Sequence, residues 1–137
     1  LASGKMVMPR LVRDVSADAR PIIFPDMNIP TGFLNLARDG MWAVVNEVRG
    51  TAYTKRMDYN GYQYSGKTGT AQVINLGRGS RSPRDSELQD HAWFVAYASK
   101  DEPRIAVVVF VEHGGHGGSA AAPIAQTIIS KFFDLEK

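Results

Sequence analysis

The sequence predicts an α+β fold in which an antiparallel β-sheet packs against helices. Two observations carry this prediction: three strand-like segments follow one another in the second half of the chain, and an amphipathic helix precedes and follows them. The chain has 137 residues, of which 44% are hydrophobic. This size and composition suit one domain with a single core.

Composition excludes several classes of protein. The 16 Lys and Arg residues against 14 Asp and Glu give a net charge of +2, which is too weak a bias for a nucleic-acid-binding surface. No cysteine is present, so disulfides and thiolate metal ligands are excluded. No apolar run approaches the roughly 20 residues that a membrane-spanning helix requires.

The first half of the chain predicts one helix, over residues 33–48, which Thr31 can cap and Gly50 can end. Its apolar stripe comprises Leu34, Ala37, Met41, Val44, Val45 and Val48. Upstream, Pro9 makes residues 6–15 an edge strand or a loop. Residues 1–4, "LASG", resemble the last turn of a helix closed by Gly4, whose body we expect to lie further upstream.

The second half predicts strands over residues 63–74, 91–98 and 104–112. The short turn between the last two favours antiparallel neighbours. Between the first two lies a long polar loop that contains Arg78, Arg81 and Arg84 and is expected to be exposed. A helix over residues 123–133 closes the chain, with Ile124, Ile128, Ile129, Phe132 and Phe133 on its predicted buried side.

Lys67 lies in a stretch, "GYQYSGKTGTAQV", that fits two unrelated motifs. Gly61 followed by Gly66-Lys67-Thr68 fits the phosphate-binding P-loop pattern. Lys67-Thr68-Gly69-Thr70 fits the K-T-G element of serine acyl-transferases that bind penicillin. The two motifs predict different backbone conformations, because a helix begins at the lysine of a P-loop.

The neighbouring residues favour the strand interpretation. "TKRMDYN" before Gly61 is too polar for a core strand, and the residues after Thr68 include β-branched side chains but no helical stripe. The apolar run "IAVVVFVE", which ends in an acid, is the one feature that supports the nucleotide interpretation. On a strand edge, the lysine, the two threonines and the glycine would present an ammonium, hydroxyls and bare amides, which is a surface for carboxylates and oxyanions.

Several segments together resemble the penicillin-binding protein and serine β-lactamase superfamily. "SGKTGTAQV" is similar to its third motif, and "GMWAVV" with "GTA" to the helix and link before that strand. "HAWFVAYA" and "RIAVVVFVEHGGHGGSAAAPIA" resemble the later strands and the entry to the C-terminal helix. The glycine-rich ending is most similar to elongation-type class B members, the penicillin-binding protein 2 group. The resemblance identifies residues 1–137 as the C-terminal part of a transpeptidase domain.

The resemblance implies a serine-type D,D-transpeptidase acting on peptidoglycan stem peptides that end in D-Ala-D-Ala, with β-lactams as mimics. Lys67 would make the pocket positive and assist proton movement, and Thr68 and Thr70 would bind the terminal carboxylate. Gly69 would leave clearance for the ligand, and the N–H of Thr70 would donate to the oxyanion. The resemblance also implies a cell-elongation assembly at the periplasmic face of the inner membrane, without a cofactor.

Two further motifs of the family, S-x-x-K and S-x-N, do not occur in these residues. In the family both precede the matched segment, so we expect the nucleophile in the rest of the parent domain. Two alternatives remain at this point: a P-loop nucleotide-binding domain and a non-catalytic interaction module. Glu112, His113 and His116 could be drawn as a metal site, but a glycine-rich loop does not fix ligand geometry, and no metal is expected.

We predict that this chain by itself forms no covalent adduct with penicillin, because it lacks the S-x-x-K nucleophile. The measurement is incubation with a fluorescent penicillin followed by denaturing electrophoresis, with an active penicillin-binding protein as the positive control. A labelled band at the mass of this chain contradicts the prediction.

Overall fold

In a computed structural model, residues 1–8, 23–57, 63–72 and 89–137 are described. Two helices, α1 (Thr31–Asn46) and α2 (Ala122–Leu135), accompany three strands, β1 (Tyr64–Ala71), β2 (His91–Ala98) and β3 (Ile105–Val111). A 3₁₀ turn, Tyr53–Lys55, follows α1, and a π-helical turn, Gly117–Ala121, leads directly into α2. The predicted α+β class is confirmed.

The three strands form one antiparallel sheet in the order β1-β2-β3. Lys67 lies opposite Val95, and Gly69 lies opposite Trp93. The central strand, β2, alternates buried Ala92, Phe94 and Ala96 with the exposed Trp93 and Val95. This period of two shows which face of the sheet carries the core.

The core lies between one face of the sheet and helix α2, and Val45 of α1 and Ala52 of the following link join it. Small side chains lie on both surfaces: the alanines of β2 and Ala122 and Ala125 of α2 belong to one buried cluster, and all are at most 5% exposed. The Tyr64 and Phe94 rings meet edge to face, with centroids 6.4 Å apart. The buried cluster comprises Val45, Ala52, Tyr64, Ala92, Phe94, Ala96, Ala98, Val107, Val109, Ala121, Ala122, Ala125, Ile129 and Phe133.

Two predictions about α2 were wrong. Ile124 and Ile128 are 45% and 43% exposed, although both were expected on the buried side. The buried stripe is formed by Ala122, Ala125, Ile129 and Phe133. The alanine face turns toward the sheet because it permits the closer approach, and this rotates the two isoleucines toward solvent.

The prediction for α1 was wrong at both ends. Thr31 is the first helical residue and not its cap, and the carbonyl of Pro30 accepts the first bonds, from the amides of Phe33 and Leu34. Because the helix ends at Asn46, Val48 is 77% exposed. Ala37 is exposed as well, whereas Leu34 and Val45 are buried as expected.

Some predictions fall outside the described residues. These are the end of the first predicted strand at residues 73–74, most of the segment at residues 6–15 and the loop with its three arginines. Within the described part, Gly4 has a φ of 71°, the left-handed conformation that favours glycine at a C-cap. No helix in the described ranges is long and apolar enough to cross a bilayer.

The second face of the sheet carries exposed apolar side chains. Trp93 and Phe110 are 39% and 47% exposed, with ring centroids 4.5 Å apart, and Val108 is 67% exposed. Val95 lies between Lys67 and Val108 in the register and is 36% exposed. We call these four residues, Trp93, Val95, Val108 and Phe110, the open apolar face.

The π-helical turn before α2 lies directly on the backbone of the sheet. A Cβ added at Gly117 would overlap the carbonyl oxygen of Trp93 and lie 2.7 Å from that of Gly69. A Cβ at Gly118 would lie 2.5 Å from the carbonyl oxygen of Thr51. Because both neighbours are backbone atoms and cannot rotate away, this packing requires glycine at both positions.

Alanine at Gly117 is therefore expected to destabilise the chain by about 1–3 kcal/mol, because the turn would have to move off the strands. The matched control is Gly40→Ala in the middle of α1, where an added Cβ meets nothing within 4 Å. There we expect an increase in the free energy of unfolding of roughly 0.5–1 kcal/mol from helix propensity. Urea unfolding measures both. Equal stability of the Gly117→Ala chain and the unsubstituted chain would contradict the described packing.

A second prediction concerns Tyr64, which is fully buried and donates its hydroxyl to the Lys55 carbonyl oxygen at 2.6 Å. Burial raises the pKa of Tyr64 from 10.0 to about 12, since the phenolate would lose its hydration. Below pH 10 both folded and unfolded chains hold the phenolic proton, and this contribution to stability is complete. Between pH 10 and 12 the unfolded chain loses it first, so the free energy of unfolding falls, by up to about 2–3 kcal/mol.

Comparison with Tyr64→Phe isolates this effect. The variant is expected to be less stable by about 1 kcal/mol below pH 10, through loss of the hydrogen bond, and to have a shallower alkaline slope. Urea unfolding at a series of pH values measures both quantities. Parallel stability profiles for the two proteins between pH 10 and 12 would refute the assignment of the slope to Tyr64.

Candidate functional site

The candidate site lies on strand β1, which includes all four residues of the K-T-G-T motif. A P-loop requires a helix that begins at its lysine, so the extended backbone at Lys67 is incompatible with the nucleotide interpretation. Successive side chains of a strand point to opposite faces. Lys67 and Gly69 therefore point toward the open apolar face, and Thr68 and Thr70 point toward the side that carries α2.

One edge of β1 has no strand partner, because β1 pairs with β2 alone among the described strands, and α1 packs against the Tyr64 end of this edge. The carbonyl of Tyr64 accepts a bond from the Asn46 side chain at 3.0 Å, and the carbonyl of Thr68 accepts one from Lys67 Nζ at 2.7 Å. Both carbonyls therefore point away from β2. Since backbone groups alternate sides along a strand, the N–H of Thr70 points to the same unpaired edge.

Lys67 brings positive charge to this edge. Its side chain leaves the strand on the side of the open apolar face. Its ammonium then bends back and donates a hydrogen bond to the Thr68 carbonyl at the strand edge. The residue is exposed in the structure. The ammonium and the Thr70 amide are thus donors that share one edge of one strand.

Thr68 and Thr70 line a cavity of about 560 Å³ on the α2 side, which we call the polar cavity after the hydroxyl side chains in its wall. The cavity is lined by Thr51, Thr54, Lys55, Thr68, Thr70, His116, Gly117, Gly118 and Ser119. Hydroxyl groups dominate its polar lining, and Lys55 adds a cationic side chain. Hydroxyl donors and an ammonium suit an anionic ligand such as a carboxylate.

Gly69 lies at a crowded point of the strand. A Cβ at Gly69 would lie 3.0 Å from Trp93 Cβ, on the side away from the cavity. On the cavity side, the Gly117 backbone approaches the strand closely, as described above. Gly69 is therefore closely packed on both faces of the strand.

Residues that flank the motif support the strand. Tyr64 and Ser65 are buried and Gln72 is exposed just beyond the end of β1. Gly66 packs against the Phe94 ring, since a Cβ there would lie 2.8 Å from Phe94 Cε1. The strand that carries the site is thus packed against the core.

The histidines near the last strand make contacts of another kind. His91 Nδ1 accepts the backbone N–H of His113 at 2.9 Å, and the two rings lie 4.7 Å apart. His113 Nε2 lies 4.0 Å from a Glu112 carboxylate oxygen, and His116 lines the polar cavity. In the described ranges, no group of three His, Cys, Asp or Glu residues could hold a metal ion.

Sequence reasoning missed several residues of the site, among them Thr51, Gly117 and Gly118. Thr51 Oγ1 lies 3.0 Å from Thr68 Oγ1, although 17 residues separate them in the chain. The only sequence signal was the "GTA" link after α1 and the repeated glycines before α2. Neither pattern indicates which strand those residues reach.

Comparison with known proteins identifies the family. The penicillin binding protein transpeptidase domain matches residues 1–130. Peptidoglycan D,D-transpeptidase MrdA of Haemophilus influenzae is 36% identical over 141 residues, covering 96% of this chain and 22% of that protein. The protein of the same name from Acinetobacter baumannii is 39% identical over 128 residues, covering 86% of this chain and 18% of that protein. The chain spans about a fifth of the length of these relatives.

Solved structures agree with this relationship. The penicillin-binding protein PBP2 of Helicobacter pylori, in complex with MreC, superposes with a TM-score of 0.75 at 28% identity, covering 98% of this chain and 23% of that chain. PBP2 of Pseudomonas aeruginosa, in complex with WCK 5153, gives a TM-score of 0.64 at 32% identity, covering 83% and 23%. With its sequence matched over residues 1–130 and its sheet shared with these enzymes, the chain belongs to the penicillin-binding protein transpeptidase family.

Proposed function

We propose that residues 1–137 form the C-terminal part of the transpeptidase domain of an elongation-type peptidoglycan D,D-transpeptidase. The observation that carries this proposal is the unpaired edge of β1, which the Lys67 ammonium and the Thr70 amide share, with the Thr68 hydroxyl on the adjoining face of the strand. The rest of the parent domain supplies the serine nucleophile. The substrate is a peptidoglycan stem peptide that ends in D-Ala-D-Ala.

The reaction is acyl transfer in two steps. The serine Oγ attacks the carbonyl carbon of the penultimate D-alanine, the C–N bond to the terminal D-alanine breaks, and that D-alanine leaves with a proton on its amine. An amine of a neighbouring stem peptide then takes the acyl group from the serine. Each step forms a tetrahedral oxyanion, which the N–H of Thr70 stabilises. A donor of this kind contributes about 3–4 kcal/mol in other enzymes.

The other residues of the motif bind and orient the peptide end. Lys67 attracts the terminal carboxylate and assists proton transfer between nearby hydroxyls. The hydroxyls of Thr68 and Thr70 donate hydrogen bonds to that carboxylate. Gly69 contributes by having no side chain, which keeps this part of the strand narrow enough for the ligand to lie along its edge.

The same site would take β-lactams, whose carbonyl and carboxylate imitate the peptide end. Partners of the parent protein would include the cell-elongation machinery, and a complex of the related H. pylori PBP2 with MreC supports this. The proposed location is the inner membrane, with the transpeptidase domain at its periplasmic face.

The test uses the complete transpeptidase that contains this chain. We expect fluorescent penicillin to acylate it, and Lys67→Ala to slow acylation by roughly 100-fold or more, through loss of the charge and of proton transfer. The matched control is Lys131→Ala, on an exposed position of α2, where the rate should not change. Stopped labelling reactions resolved by electrophoresis give the acylation rate constants.

Absence of labelling in the complete protein would refute the proposal and favour a non-catalytic interaction module. Equal acylation of the Lys67→Ala and unsubstituted proteins would remove Lys67 from the mechanism while leaving the family assignment intact.

A further inference from the structure

The hydroxyl of Thr68 has a neighbour that lies outside the K-T-G motif, in the "GTA" link after α1. Thr51 Oγ1 lies 3.0 Å from Thr68 Oγ1, which is a hydrogen-bonding distance, and either atom can be the donor. Both side chains line the polar cavity. The direction of this bond therefore determines what the Thr68 hydroxyl can offer to a ligand.

Thr51 is held in place from both sides. The amide of the next residue, Ala52, donates to the Val44 carbonyl at 3.0 Å, and Ala52 is 1% exposed. Gly50 passes so close to the end of α1 that an added Cβ would lie 2.5 Å from the Ala43 carbonyl oxygen. On the other side, Gly118 lies against the Thr51 carbonyl. The link is thus fixed between α1 and the π-helical turn.

We propose that Thr51 is a positioning residue for ligand binding, which acts by donating its hydroxyl proton to Thr68. This inference rests on the proposed function, in which Thr68 binds the terminal carboxylate. A hydroxyl has a single proton to donate and two lone pairs that accept. When Thr68 gives its proton to a carboxylate, the bond between the two threonines must run from Thr51 to Thr68.

The resulting chain of bonds runs from Thr51 to Thr68 and on to the ligand anion. Each bond in such a chain polarises the next, so the Thr68 hydroxyl becomes a better donor. The bond also keeps the Thr68 hydroxyl from rotating and donating its proton to other acceptors. Thr51 needs no contact with the ligand for either effect.

The experiment measures acylation of the complete transpeptidase by a penicillin with its free carboxylate and by the methyl ester of the same penicillin. Thr51→Val, which replaces the hydroxyl with a methyl group, should slow acylation by the free acid about three- to tenfold. Acylation by the ester, which carries no anion for Thr68, should change by less than about twofold. Thr51→Ser, which restores a hydroxyl, should recover the rate with the acid.

The ratio of acid to ester rates is measured on one preparation, so it does not depend on the fraction of protein that is folded. Should Thr51→Val not fold, Thr51→Ala replaces it. Thr127→Val is the control for loss of a threonine hydroxyl elsewhere, because Thr127 donates to the Pro123 carbonyl in α2. Its acid-to-ester ratio should equal that of the unsubstituted protein.

A double-mutant cycle tests the route of the effect. In a Thr68→Val background, a further Thr51→Val change should leave the acid-to-ester ratio unaltered, because Thr51 acts through Thr68. Independent losses that multiply would overturn the positioning role, as would an unchanged ratio in Thr51→Val alone. If the unsubstituted protein is not acylated by the free acid, the proposed function fails first, and this inference fails with it.

Discussion

The contact on which the site depends is the close approach of Gly117 to the backbone of two paired strands. At this point the chain that leads into α2 lies against the Gly69 and Trp93 backbones without any side chain between them. The C-terminal helix is thereby fixed relative to the strand that carries the cation and the hydroxyls. The polar cavity lies between this turn on one side and β1 on the other.

Because side chains alternate between the two faces of a strand, the functional groups of four consecutive residues lie on three surfaces of β1. The Lys67 side chain leaves one face, the Thr68 and Thr70 hydroxyls leave the other, and the amide of Thr70 lies on the edge between them. A helix would place these groups around a cylinder, with no free amide in its middle. An unpaired strand edge is thus the backbone geometry that can combine a cation, hydroxyls and an amide donor for one ligand.

Local patterns predicted most of the fold. The alternation in residues 91–98 and the β-branched run after it were sufficient for two strands, and strand character at Lys67 followed from the residues beyond Thr68. The errors came from information that is not local. Ile124 and Ile128 have the hydrophobicity of a buried face, but the alanines beside them permit closer packing against the alanines of β2.

The candidate site was predictable to the extent that it lies on one continuous segment. Lys67, Thr68, Gly69 and Thr70 were found as a motif, and the structure places them on one strand. Thr51 and Gly117 were not found, since they reach β1 only through the tertiary fold, from segments 17 residues or more away in sequence. A single threonine after a helix and a glycine among other glycines carry no signal of the strand that they will contact.

The open apolar face affects the thermal unfolding of this part of the protein. Trp93, Val108 and Phe110 are 39% to 67% exposed, so their hydrocarbon surface is hydrated in the isolated chain. Any surface that covers them, such as the remainder of a transpeptidase domain, releases that water and gains about 25 cal/mol for each Å² of apolar area removed from it. Such a gain links the folding of the two parts, which would then unfold in one transition with a larger heat-capacity change than the isolated chain alone.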